Sequence, residues 1–237
     1  MNSVKALGAS VFAATLGFSA QAAVVSIDEF TASQAEFIGS DADVISEGVV
    51  GADLLGGVRE ISLTNSNAMD AAFDTIFVAS GGVGRFESGA GSDGAGILSS
   101  FRLDYDGAAD LAFDDAGLGS VDLVDSTNDS FVLAASFVDG LSNIQVQVWD
   151  GDSAALSSIV LVDAPGIFYI PFTDFAGIDF TDIAAISLFI DSETPAADLS
   201  LDFFRADRRD DIVVPIPGAA LLFASALFGL AAARRRR

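Results

Sequence analysis

Apolar and polar residues alternate one for one in short runs along the middle of this chain, and that period of two restricts its fold more than any other feature. Ile144, Val146 and Val148 alternate with Gln145, Gln147 and Trp149. Phe101, Leu103 and Tyr105 alternate with Arg102 and Asp104, and Leu199, Leu201 and Phe203 with Ser200, Asp202 and Phe204. Successive side chains of an extended strand point to opposite faces, so each run predicts a strand with one face in a core. Residues 24–30, 58–64, 75–79, 131–137, 157–162, 167–172 and 185–190 read as further strands. Asp106-Gly107, Asp139-Gly140, Asp150-Gly151 and Ala164-Pro165-Gly166 supply turns between them. About ten short strands without an amphipathic helix of ordinary length predict an all-β fold, a single antiparallel β-sandwich. Two stretches stand apart from it. Residues 81–96 are Gly-rich and predict a long surface loop, and residues 32–57 are acidic, poor in strand signals and expected to wrap the sandwich.

Composition removes much of enzyme chemistry. The 237 residues include no Cys and no His. A Ser-His-Asp triad, an imidazole base, a thiol nucleophile, an iron–sulfur cluster, a disulfide framework and the usual zinc sites are therefore excluded. The only lysine is Lys5, in a segment read below as a removed leader. Residues 23–211 carry all 34 acidic residues against six arginines, a net charge of −28. Such a surface repels nucleic acid and anionic lipid and favours solubility.

Both ends read as targeting signals. Residues 1–22 combine Lys5, an apolar run from Ala6 to Phe18, and Ala20-Gln21-Ala22, with Ala20 and Ala22 at the small-residue positions of a signal-peptidase site. Residues 207–212 form a charged linker, and Ile212 to Ala233 is an uncharged run of 22 residues ahead of Arg234, Arg235, Arg236 and Arg237. That run is long enough to cross hydrocarbon as a helix, with the arginines held on the cytoplasmic side. Its six strongly apolar residues contribute about −2 to −4 kcal/mol to insertion, a marginal anchor suited to a transient stay in the inner membrane.

Val214-Pro215-Ile216-Pro217-Gly218, the hydrophobic run and the terminal arginines resemble the PEP-CTERM class of bacterial sorting signals, in particular its VPLPA-CTERM variety. Ile216 and Gly218 stand where that variety usually has Leu and Ala. The resemblance covers residues 213–237. It implies recognition by an exosortase-type protease, removal of the tail, and release or attachment at the surface of a Gram-negative, polysaccharide-secreting bacterium. A second resemblance covers residues 97–205 of the acidic β-sandwich domain expected over residues 23–206, and is carried by Ile170-Pro171-Phe172-Thr173-Asp174-Phe175, Asp179-Phe180-Thr181-Asp182-Ile183-Ala184-Ala185-Ile186-Ser187-Leu188 and Asp198-Leu199-Ser200-Leu201-Asp202-Phe203. These are similar to secreted jelly-roll domains of the galactose-binding-like kind, where that order is an edge strand, a short turn and two terminal core strands. Some jelly-roll carbohydrate-binding domains hold a structural calcium ion between first and last strands, which here implies Asp28 or Glu29 with Asp202.

Other motifs carry less. Gly89-Ala90-Gly91-Ser92-Asp93-Gly94 fits G-x-G-x-x-G, but Ile97 to Arg102 reads as a strand, whereas a dinucleotide site needs a helix opening there. Asp41/Asp43, Asp104/Asp106 and Asp150/Asp152 are Asp-x-Asp pairs that do not continue into an EF-hand loop. Trp149 shares a strand face with Gln145 and Gln147, an aromatic ring beside amides that suits a sugar, although a lone Trp at a strand end more often packs on a loop. The reading that follows is an exported, non-catalytic β-sandwich of the cell surface or extracellular matrix. Its expected partners are the secretion machinery, signal peptidase, an exosortase-type protease and, through weak glycan binding, exopolysaccharide. The alternative is a carboxylate-dependent polysaccharide hydrolase, or a calcium-stabilised accessory module of one.

Overall fold

A computed structural model describes residues 24–39, 45–65, 75–89, 96–124 and 127–209. The residues read as targeting signals, including Ala20, Ala22, Val214 to Gly218 and Arg234 to Arg237, and the pair Asp41/Asp43 lie outside the described residues. Among the described residues no helix is long and apolar enough to cross a membrane.

The strand pairings are nested. Strand β9 (Ser142–Trp149) is followed by two short strands, β10 (Ala154–Leu156) and β11 (Val160–Val162), both antiparallel to it. Outside them β8 (Ser130–Asp139) pairs with β12 (Gly166–Pro171), then β7 (Ser99–Tyr105) with β13 (Ala185–Ser192). Outermost, β6 (Val83–Glu87) pairs with β14 (Asp198–Asp207). Cross-pairing of β13 with β9 and of β14 with β8 rolls this ribbon into two sheets, which is the jelly-roll arrangement. Five strands extend it: β1 (Val25–Asp28) pairs with β14, β2 (Gln34–Gly39) with β5 (Thr75–Ser80), and β3 (Ile45–Val50) with β4 (Val58–Asn65). The first sheet runs β12-β8-β14-β6-β5-β2, and the second β10-β9-β13-β7-β4-β3. The all-β sandwich is therefore as expected, with β12 at an edge and β13 and β14 inside their sheets.

The core lies between the sheets. Phe101, Leu103 and Tyr105, Ile144, Val146 and Val148, and Ile186, Leu188 and Ile190 face Phe77, Phe86, Phe131, Leu133 and Phe204 across it. These inward positions fall where the period of two puts them, because β7, β9 and β13 pair without interruption.

Three expectations need correction. Residues 32–57 contain β2 and β3, which join the sheets by backbone pairing although their side chains gave no clean alternation. The Gly-rich stretch 81–96 begins as a hairpin, not a loop. Gly81 and Gly82 have φ of 63° and 84°, as a two-residue hairpin turn requires, and β6 follows at once. Gly84 within β6 leaves room for the Phe30 ring, which would stand 2.6 Å from a Cβ there. The third concerns β14, where register shifts between Ser200 and Leu201 and between Leu201 and Phe203 turn Phe204 inward in place of Phe203. The bulged residues Ser136 and Asp202 bond each other, Ser136 Oγ donating to Asp202 Oδ1 at 2.5 Å.

One charged pair sits in the core. Arg59 of β4 and Asp28 of β1 are both fully buried. Arg59 Nη1 donates to Asp28 Oδ2 at 2.7 Å, Nη2 to the Ala32 carbonyl at 3.0 Å and Nε to Gln34 Oε1 at 3.2 Å. Asp28 also accepts from the Tyr105 hydroxyl at 2.9 Å and from the Phe30 amide at 2.7 Å. The rings of Phe30 and Phe77 lie 5.7 and 5.4 Å from the guanidinium. Burial pushes the Asp28 carboxyl above its ordinary range and the Arg59 charge opposes that shift. Arg59→Ala strands a buried carboxylate, so it should lower the free energy of unfolding by about 3–5 kcal/mol in urea titration. A loss below about 1 kcal/mol would show that the pair is not the constraint its burial implies.

Candidate functional site

The outward face of the second sheet carries a ladder set by register. Ser62 of β4, Arg102 of β7, Phe189 of β13 and Gln145 of β9 stand in one row across four strands. At a strand spacing of about 4.8 Å that row is about 14 Å long. Glu60, Asp104, Ser187 and Gln147 form the next row, and Trp149 stands opposite Ala185 one row further on. The sequence-predicted residues Gln145, Gln147 and Trp149 therefore do share one face.

Arg102 is the centre of this face. Its Nε donates to Asp104 Oδ1 at 2.8 Å and its Nη2 to Ser187 Oγ at 3.4 Å. Ser187 Oγ in turn donates to the same Asp104 oxygen. The rings of Phe113 and Phe189 lie 4.6 and 5.6 Å from the guanidinium carbon. With five N–H donors and a side chain 34% exposed, Arg102 keeps donors for a ligand. Beside it lies a depression of about 290 Å³ lined by Ser62, Thr64, Ser100, Phe101, Arg102 and Phe189. Hydroxyls, a guanidinium and an aromatic ring thus converge on a rigid sheet face.

Trp149 packs on a loop, as a lone Trp at a strand end more often does, and is not an open sugar platform. The segment between β7 and β8 folds over this end of the sheet, where the Leu111 amide donates to Glu60 Oε1 at 2.7 Å. Phe113 of that segment packs on Trp149 with ring centroids 4.4 Å apart. Gln145 spends its amide on the Ser157 carbonyl at 3.0 Å. The ring that remains beside the depression is Phe189, outward on β13 between the inward Leu188 and Ile190. Arg102 was legible as outward, but its clamp of Phe113, Phe189, Asp104 and Ser187 was not.

The calcium expectation does not fit these residues. Asp28 has both oxygens engaged, by Arg59, Tyr105 and the Phe30 amide, so a guanidinium already stands where the cation would. Glu29 accepts from Ser26 Oγ at 2.9 Å, and Asp202 from Ser136. Among the described residues no three acidic side chains gather as a metal-ligand group. The Asp-x-Asp pairs that are described serve turns. Asp106 accepts from the amides of Ala108 and Asp114, and Asp150 from those of Ser153 and Asp179. Those amides, that of Asp179 foremost, hold the exposed Asp150 carboxyl below its ordinary value. After the G-x-G-x-x-G motif comes strand β7, not a helix.

No protein-family model matches this chain, and no curated protein matches it. Among solved structures, it is similar to a family 29 carbohydrate-binding module at 14% identity and a TM-score of 0.36, covering 77% of this chain and 97% of the module. A mutant of such a module complexed with mannohexaose matches at 12% identity and a TM-score of 0.34, covering 73% and 99%. A family 28 module specific for non-crystalline cellulose matches at 16% and 0.31, covering 61% and 79%. Scores this low put no residue of this chain in correspondence with theirs.

The acidic half of the ladder has a pH signature. Burial raises the Asp104 carboxyl above its ordinary 3.8, against the pull of Ser187 and Arg102. Burial, with the charges of Asp106, Asp104 and Asp110, raises Glu60 above 4.5, against the Leu111 amide. Both groups hold protons in the folded chain at pH values where the unfolded chain has released them. Their contribution is complete below the ordinary carboxylate range and is lost as pH rises through the raised values. The melting temperature should therefore climb as pH falls from neutrality toward the ordinary carboxylate range, and Glu60→Gln should flatten the climb. A melting temperature that falls steadily over that interval would contradict these shifts.

Proposed function

We propose that this chain is an exported, non-catalytic β-sandwich that binds glycan weakly on the outward face of β4, β7, β13 and β9. The observation that carries this reading is Arg102, its guanidinium against the rings of Phe113 and Phe189 and beside a depression lined by Ser62, Thr64 and Ser100. Sugars present an apolar ring face and a rim of hydroxyls. Phe189 suits the first, and the remaining N–H donors of Arg102 with the three hydroxyl side chains suit the second. The lining supplies hydrogen-bonding groups and a ring rather than the two facing carboxyl groups of a glycosidase. A shallow, open site of this kind binds weakly, since little of each sugar is removed from water.

Arg102→Ala and Phe189→Ala should each weaken binding to a retained polysaccharide by about tenfold, read by calorimetry or affinity electrophoresis. Retention of the parent protein no greater than that of an inert acidic protein, across neutral and acidic polysaccharides, would overturn the reading.

Delivery to the surface belongs to the same proposal and rests on the two ends. Ala20-Gln21-Ala22 would be cut by signal peptidase, and Val214-Pro215-Ile216-Pro217-Gly218 with Arg234 to Arg237 would be read by an exosortase-type protease after transient insertion in the inner membrane. Exopolysaccharide at the surface of a Gram-negative cell is then the nearest glycan. Replacing Pro215 and Pro217 by Ala should leave the tail attached and the protein in the membrane fraction. Unchanged mass and location of that variant would count against exosortase processing.

A further inference from the structure

Two rows of the Arg102 face run on past β9 and end in aliphatic side chains. Glu60, Asp104, Ser187 and Gln147 lead to Leu156 of β10. Thr64, Ser100, Asp191 and Asn143 lead to Leu161 of β11. Leu161 lies between Val160 and Val162, which pack inward, so it shares the outward face of Arg102 and is 51% exposed. Residues 153–162 carry no charge, in a chain with 34 acidic residues.

The open part of this face runs across the strands. Toward the Trp149 end, the segment after β7 sets the Leu111 amide on Glu60 and the Phe113 ring on Trp149 and Arg102. It walls the Asp104 side and leaves open the rows of Arg102 and Ser100, which line the depression. The Ser100 row crosses five strands, about 19 Å at a spacing of about 4.8 Å, and Leu161 is its far end. A ligand that fills the depression and follows this row is longer than one sugar ring and meets Leu161 beyond Asn143.

Leu161 offers no hydrogen bond. Hydroxyls laid on it would give up water without replacement, whereas a methyl group and Leu161 both gain by leaving water. Asn143, directly opposite Leu161, donates one amide hydrogen to Glu193 Oε1 and keeps a second. A methyl group beside a hydrogen-bond acceptor is the chemistry of an acetyl ester. Charge narrows the ligand further. Arg102 is already paired with Asp104, and Glu60 and Asp191 stand on the same face, so a polyanion is repelled and a neutral chain is not. On the glycan reading of this face, we propose that its ligand is a neutral, O-acetylated polysaccharide lying across the strands, with Leu161 and Asn143 as the subsite for an acetyl group.

Affinity electrophoresis of the full chain in glucomannan and in xylan, each O-acetylated or alkali-deacetylated, tests this, with polygalacturonate as the acidic comparison. The parent should bind an acetylated polymer about tenfold more tightly than its deacetylated form, and polygalacturonate least. Leu161→Ser, with an unchanged circular dichroism spectrum, should abolish the preference and keep the affinity for the deacetylated form. Leu156→Ser, on the walled side, should retain the preference, and Arg102→Ala should weaken both forms alike. Equal binding of the two forms by the parent would overturn the acetyl subsite and leave the glycan reading standing. So would a preference that survives Leu161→Ser or is lost equally in Leu156→Ser, and tightest binding of polygalacturonate would overturn the neutral ligand. Retention of none of these polymers would overturn the glycan reading as well.

Discussion

The fold is arranged around a guanidinium buried between two sheets. Arg59 belongs to the second sheet through β4, and its partners Asp28 and Gln34 come from β1 and β2 of the first. Tyr105, reaching from β7, donates to the same Asp28 oxygen. Burial and the adjacent carboxylate hold that phenol well above its ordinary value, so it remains a donor. A charge pair in such a place contributes little net stability compared with an apolar filling, because desolvation of both ions opposes their attraction. Its effect is geometric. The two sheets can slide past one another only by separating charges that water cannot reach, so the pair fixes their relative position as apolar contacts alone would not.

That fixed position lets one set of strands serve two environments. In β7, β9 and β13 the inward residues are apolar, and the outward ones are Arg102, Asp104, Gln145, Gln147, Ser187 and Phe189. Register places the outward residues in rows, and the rows make a site from side chains far apart in the chain. Arg102 and Ser187 are 85 residues apart in sequence, yet they share one carboxylate. The segment after β7 completes the arrangement by laying Phe113 over both Trp149 and Arg102.

Electrostatics pulls the molecule in two directions. Acidic side chains keep the surface hydrated and self-repelling, while burial at the ladder holds Glu60 and Asp104 where ionisation is less favourable than in water. The uncharged strands β10 to β12 are the exception. They lie at the sheet edges, where unpaired backbone groups and exposed aliphatic side chains coincide.

Much of the sandwich was legible in the residues themselves. Alternation placed β7 and β9 with the correct inward faces, and Asp-Gly pairs marked the turns beside them, because both signals act within a few residues. The absence of Cys and His likewise settled, from composition alone, which chemistries are closed to the chain. Tertiary structure decided the rest. Which of Phe203 and Phe204 enters the core depends on bulges formed with β8, which alternation within β14 cannot show. Asp28, plausible as a calcium ligand beside Glu29, is instead claimed by Arg59 at a sequence separation of 31 and by Tyr105 at 77. That Trp149 packs on a loop could be expected, but that Phe113 is the ring it meets could not. A side chain's direction is set by its nearest neighbours in sequence, but its partner is set by the nesting of strands, and that nesting joins residues no local pattern connects.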